Sequence, residues 1–276
     1  MEAVEMDRPF GPLVSAGAAL FHHPTIEIAV VEVRLASGGG EFDEEDAVKM
    51  LNAFQVHGAT RMDASVQRQV QFMINPAIGA TQTQDAVLAR GWQFSTADRT
   101  CVFTVTPQAA SVQVTSYDRW RVSLKPQLET LLDVARSICG ARVVERIGVR
   151  YINRLPAPPP DGTWTEVVAP ALAGILAEPL LGSLIRNAHQ QVELLLEPDI
   201  GVILRHGPVF DGAGTGYLMD IDVYDSSAQE LLPEKVLPRA QRLNRSAFAL
   251  FRQLLSPKLL KEFNSIEDET TGVEAP

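Results

Sequence analysis

From Glu145 to Leu155 the chain reads ERIGVRYINRL, and its alternation constrains the fold more than any other feature. In an extended strand, successive side chains point to opposite faces. Ile147, Val149, Tyr151, Asn153 and Leu155 then share one face, and Arg146, Gly148, Arg150, Ile152 and Arg154 share the other. The first face is mostly apolar and belongs against a core. The second sets three arginines in a row at every fourth residue, each roughly 14 Å along the strand from the next. Such a row is costly unless carboxylates, a ligand or water answer it.

The segments around this strand punctuate themselves. IEIAVVEVRL, Ile26 to Leu35, is rich in β-branched residues and predicts a strand, ended by Gly38, Gly39 and Gly40. Asp43 to Asp46 favour a helix first turn, and Ala47, Val48, Leu51 and Phe54 give its buried stripe up to Gly58. Strands are predicted over Val66–Ile74, Gly91–Thr96 and Thr100–Thr115, the last broken near Pro107, with a hairpin tip at Ala97, Asp98 and Arg99. A long helix follows from Tyr117 to Cys139, with a kink or a later start forced by Pro126. Beyond the central strand, PAPPPDG (Pro156 to Gly162) is a stiff connector. Thr163 then caps an expected helix carrying Trp164, Val167, Val168, Leu172, Ile175 and Leu176. Three more strands read as Ala188–Leu196, Ile200–His206 and Tyr217–Tyr224, before a helix over Val236–Leu255 and a short one restarted by Pro257 through Phe263.

The order strand, helix, three strands, long helix has then occurred twice, at an offset near 120 residues. This predicts an α+β fold of two pseudo-duplicated β-α-β-β-β-α halves, saddle-like or helix-grip-like. Runs of strands joined by short turns form antiparallel meanders, so the sheet is expected to be mainly antiparallel and covered by helices. The expected organisation is an N-terminal arm over 1–20, halves over 21–140 and 141–264, and a disordered acidic tail over 265–276. At 276 residues the chain can bury a large core. Its net charge of −10 argues against nucleic acid or an anionic membrane as partner. Two distant cysteines, Cys101 and Cys139, an acidic N-terminus and no apolar run of transmembrane length suggest a reduced, cytoplasmic setting.

At the central stretch the sequence also resembles a known family. RIGVRYINR, with GWQFST before it, YDRW at the start of the long helix and MDIDVY later, is similar to a sporadically distributed prokaryotic family of about this length. The resemblance spans roughly residues 24 to 264. The family has no established biochemical activity, so it implies no catalytic residue here. Its patchy distribution suits accessory genes.

Partners for the arginine row are available in the later strands. In YLMDIDVY, Asp220, Asp222 and Tyr224 share a face with Leu218; Glu193, Glu197 and Arg205 add further charges. Three readings compete: a solvated sheet face laced by cross-strand ion pairs, a concave polar surface gripping an acidic peptide or small anion, and a catalytic carboxylate pair, Asp220 with Asp222. Asn153 points to the apolar face, where it either ties the strand end to the proline connector or lines a cleft between the halves. His22, His23, His57, His189 and His206 stand in no metal-ligand spacing, neither cysteine has a nucleophile's setting, and GAGTG at 212–216 leads into a strand where a nucleotide loop requires a helix. No cofactor or metal is expected. The function favoured is a non-enzymatic binding or accessory protein holding a protein, peptide or small anionic ligand through Arg146, Arg150, Arg154, Asn153, Asp220 and Asp222. An enzyme of unknown reaction on the same face is the alternative.

Overall fold

The computed structural model describes residues 8–13, 25–36, 42–75, 80–185, 187–212 and 214–270. Its strands are β1 (Ile26–Leu35), β2 (Ala59–Asn75), β3 (Ala80–Thr96), β4 (Cys101–Val105), β5 (Ala109–Val114), β6 (Val143–Pro156), β7 (Gln190–Glu197), β8 (Ile200–Asp211), β9 (Gly214–Asp225) and the short β10 (Gln229–Glu230). The helices are α1 (Glu44–Phe54), α2 (Trp120–Ser123), α3 (Lys125–Ser137), α4 (Pro170–Ala173), α5 (Pro233–Leu254) and α6 (Pro257–Thr270).

The fold is mixed α/β with one open, ten-stranded sheet in the order β2-β3-β4-β5-β1-β6-β9-β8-β7, and β10 on the end of β6. Its described pairings are antiparallel. The strand carrying the arginine row lies in the middle, between β1 and β9. Alternation places Ala29, Val31, Val33, Ile147, Val149, Met219, Ile221, Val223, Val202 and Leu204 on one buried face. Against it pack Met50 and Phe54 of α1, Leu128 and Leu131 of α3, and Leu243, Ala247 and Leu250 of α5, forming one core. The opposite face of β1, β6 and β9 is more open, although Asp220 on it is buried.

Local chemistry sets the boundaries. Asp43 caps α1 by accepting from the Asp46 N–H at 2.9 Å, and Gly58 leaves the following turn at φ +79°. The expected break at Pro126 is a divide at Leu124 between α2 and α3. At the β3–β4 tip the Asp98 carboxylate accepts from Thr96 Oγ1, Thr100 N and Thr100 Oγ1, with Arg99 at φ +60°. β2 and β3 pair along 59–96, yet β4 joins β3 only at Trp92–Ser95, so this hairpin projects beyond the rest of the sheet.

Three expectations are corrected. The helix from Thr163 does not form: a 3-10 turn at Trp164–Glu166, the four-residue α4 and a turn at Gly174–Ala177 take its place. Pro170 drives Ala169 to ψ 144°, and Gly174 adopts φ +44°, so the helical path is interrupted at both points. Val167, Val168, Leu172 and Leu176 are nevertheless core residues, Ile175 is exposed, and Val168 bridges to Leu255. The N-terminal arm is not loose at 8–13. Phe10 is buried, its ring lies 3.7 Å from the Arg242 guanidinium, and its N–H donates to Ser246 Oγ at 2.9 Å. The last helix continues past Phe263 to Thr270, into the segment expected to be disordered; residues 271–276 lie outside the described residues.

Candidate functional site

The open face of the central strands holds the arginines and aspartates singled out by the sequence. Their pairing follows the lean of the side chains along β6 more than the register. Asp222 stands directly opposite Arg150, and Asp220 opposite Ile152. Arg150 nevertheless reaches Asp220, donating through Nε and Nη2 at 2.7 Å each. Arg146 lies down along its own strand and donates from Nη2 to Asp222 at 3.0 Å, with Glu32 of β1 at 3.4 Å. Gly148 makes room for this: a Cβ there would stand 2.7 Å from Arg146 Nη1 and 3.2 Å from Asp222 Oδ1. Arg154 forks onto Asp211 with two bonds of 2.9 Å and also donates to the Gly214 carbonyl. All three side chains lean towards the C-terminal end of β6.

Asp220 is the hub. Its side chain is only 4% exposed and is shared by Arg150 and by Arg205 of β8 at 3.3 Å. Arg205 is held in turn by Gln191 of β7 at 2.9 Å. Beside Asp222, Tyr224 lies across Gly201, and the Arg146 guanidinium sits 4.6 Å over its ring. The result is a lattice of guanidinium and carboxylate groups from β1, β6, β8 and β9, extended by the Gln191 amide of β7.

Electrostatics follow from these contacts. The hydrogen bonds to Asp220, more than its burial, hold the Arg150 guanidinium above its ordinary pKa. Arg154 is raised by its bonds to Asp211. Asp222 moves the other way from most paired carboxylates: burial raises its pKa above 3.8 by more than Arg146 lowers it. The folded state therefore binds more protons than the unfolded chain between 3.8 and the raised value, and stability falls as pH rises through that window. Asp222→Asn removes this dependence. In urea titrations from pH 4 to 7 the variant should gain stability relative to the parent as pH rises and then level off. A difference constant with pH would show that Asp222 keeps an ordinary pKa.

Asn153 is not part of this lattice. It lies on the covered face, 2% exposed, accepting from Thr25 Oγ1 at 3.0 Å and donating to the Met219 carbonyl at 3.3 Å. It ties β6 to the start of β1 and to β9. Sequence reasoning missed Glu32, Asp211 and the role of Gln191. Glu32 could have been found, since it shares parity with Val30 and alternates with Val31 and Val33. Among the described residues, no group of three or more His, Cys, Asp and Glu could hold a metal ion, and no helix is long and apolar enough to cross a membrane. Burial pushes the Cys101 and Cys139 thiols up to about 11 and about 12, the opposite of a nucleophile's needs.

No family model matches the chain, and no curated protein matches it. Among solved structures, a similar chain is the S. pombe Pct1 RNA triphosphatase in complex with the Spt5 CTD, 11% identical over 92% of this chain and 84% of that one. The TM-score is 0.14, and the likeness carries no argument.

Proposed function

We propose that this protein is a non-enzymatic binding protein, and that the polar sheet face docks a protein or peptide presenting both signs of charge. The observation that carries the proposal is the pre-paired lattice. Arg146, Arg150, Arg154 and Arg205 are held in fixed geometry by carboxylates, yet Arg150 and Arg205 remain 40% and 39% exposed. Arg150 spends one N–H each of Nε and Nη2 on Asp220, which leaves three of its five donors for a partner. Fixing these side chains beforehand lowers the ordering cost of association. A small anion is less well served, because these guanidinium groups are already neutralised by neighbours. One cavity, lined by Asn187, His189 and Pro208–Asp211, adjoins the end of this face through Asp211, and another is lined by Arg8, Pro9, Gly11 and Leu13 away from it. A catalytic carboxylate pair would need ready exchange of protons with solvent, and Asp220 is almost closed to it.

We also infer that the two halves are copies of one unit. Outward from the β1–β6 pair the order is β5-β4-β3-β2 on one side and β9-β8-β7 on the other, so each first strand is flanked by the last strand of its own meander. The copies then differ by one strand and by the loss of a helix after β6. Failure of the two sheets to superpose would refute the duplication and leave the binding proposal intact.

The test uses Arg34→Ala and Arg154→Ala in the full chain. Arg34 is 60% exposed and bonded to Glu32, and Asp211, the partner of Arg154, is 52% exposed, so both variants should fold. Immobilised protein is incubated with lysate of its own host, and retained proteins are identified by mass spectrometry. A partner bound by the parent should be lost at least about tenfold in one or both variants, and its retention should fall with salt. If both variants stay folded and retain every partner, this face is not the docking surface.

A further inference from the structure

Strand β7 closes one edge of the sheet, pairing with β8 on one side and with no strand on the other among the described residues. Gln190 to Leu195 are all exposed. Among them are Val192 at 37%, Leu194 at 36% and Leu195 at 75%. Ile175, Leu180 and Leu184, in the turns that lead into this strand, are exposed as well. Edge strands are ordinarily short, charged, bulged or covered, because their unpaired backbone groups template further pairing. Among the described residues this one has a cover at its far end only. Gly11, at φ +60°, donates to Glu197 Oε1 at 3.1 Å and sits so close that an added Cβ would lie 2.8 Å from the Leu196 carbonyl oxygen. The free edge therefore ends at Leu195.

We propose that the free edge of β7 pairs antiparallel with the same edge of a second copy of this chain, about a twofold axis through Val192. The argument is one of register. A twofold normal to the sheet preserves its faces, so paired residues must share parity and their numbers must sum to an even value. Centring the pair on Glu193 sets carboxylate against carboxylate, which is unfavourable. Centring it on Leu194 requires Leu196, where Gly11 already sits. Centring it on Val192 places Val192 against Val192, Gln190 against Leu194, and the Gln191 amide against the Glu193 carboxylate. That register uses only the free stretch and opposes no like charges. The pairing covers exposed aliphatic side chains and satisfies the outward-facing backbone groups. It also makes the polar faces of two copies continuous. A strand of another protein would have to match this pattern by design, whereas the same strand matches it by symmetry.

Sedimentation equilibrium of the full chain across micromolar to submillimolar concentrations should give twice the 30.1 kDa chain mass. Val192→Lys, which opposes like charges at the axis, should weaken the dimer at least about tenfold. Val192→Cys should form an intermolecular disulfide on mild oxidation. Leu195→Cys should not, because residues three positions from the axis stand roughly 20 Å from their symmetry mates. Cys101 and Cys139 are buried and leave the readout clean. A monomer throughout the concentration range, a dimer indifferent to Val192→Lys, or cross-linking through Leu195→Cys in place of Val192→Cys would each overturn the proposal.

Discussion

Phe103→Ala should lower the unfolding free energy by about 4 kcal/mol, within the range for truncating a buried phenylalanine. Phe103 of β4 is fully buried and stacks on Phe54 of α1, with ring centroids 4.1 Å apart and planes 12° from parallel. Phe54 also meets Phe94 of β3 at 5.3 Å, and His57 approaches Phe103 at 5.7 Å. Three elements thus share one aromatic cluster. Removing its central ring leaves a cavity that β4, held between β3 and β5, cannot collapse to fill. In a chain of this size the loss corresponds to a fall in melting temperature of roughly 7 °C. Urea denaturation followed by far-UV circular dichroism measures it. A loss below about 2 kcal/mol would mean that α1 relaxes onto the meander without the ring.

Much of the architecture was legible because the signals were local. Alternation in IEIAVVEVRL and ERIGVRYINRL identified the two central strands, and the strand faces followed from parity alone. Pro126 and Pro257 marked helix starts through their missing N–H groups. The expected helix after Thr163 failed for an equally local reason that the apolar spacing hid. Val167, Val168, Leu172 and Leu176 recur at helical intervals and are buried, but Pro170 and Gly174 interrupt the path. Spacing reported burial correctly and conformation wrongly.

The site was half legible. Parity put Arg146, Arg150 and Arg154 on one face and Asp220 and Asp222 on one face of a later strand, and the structure pairs Arg146 and Arg150 with those carboxylates. Which arginine meets which carboxylate was not readable. The choice depends on side-chain lean, on the space above Gly148, and on Asp211, whose strand continues past the expected end at His206. The docking of Phe10 was hidden for another reason. Its partners, Arg242 and Ser246 of α5, lie more than two hundred residues away, and a Pro- and Gly-containing arm has no period to reveal the contact.

Arg150→Ala should cost about 2 kcal/mol, and its size decides between an exposed ladder and a pre-organised lattice. Losing one partner of a fully buried pair costs about 3–5 kcal/mol, whereas an exposed pair is worth at most about 1 kcal/mol. Arg150 falls between these limits. Its own side chain is 40% exposed, but the Asp220 carboxylate it satisfies is 4% exposed and would retain only Arg205 at 3.3 Å. The stem of Arg150 also lies opposite Val30 and contributes apolar contact. Arg150→Lys keeps the charge and loses the two-pronged geometry, so it should recover about half of the deficit. Asp220→Ala frees Arg150 and Arg205 to be hydrated and should be the milder single change. The double variant should then lose less than the sum of the two, with a coupling of at least about 1 kcal/mol. Equilibrium denaturation of the four proteins provides the cycle. A cost below about 0.5 kcal/mol for Arg150→Ala, or strict additivity in the double variant, would reduce the lattice to independent surface pairs and remove the physical basis for a pre-ordered docking face.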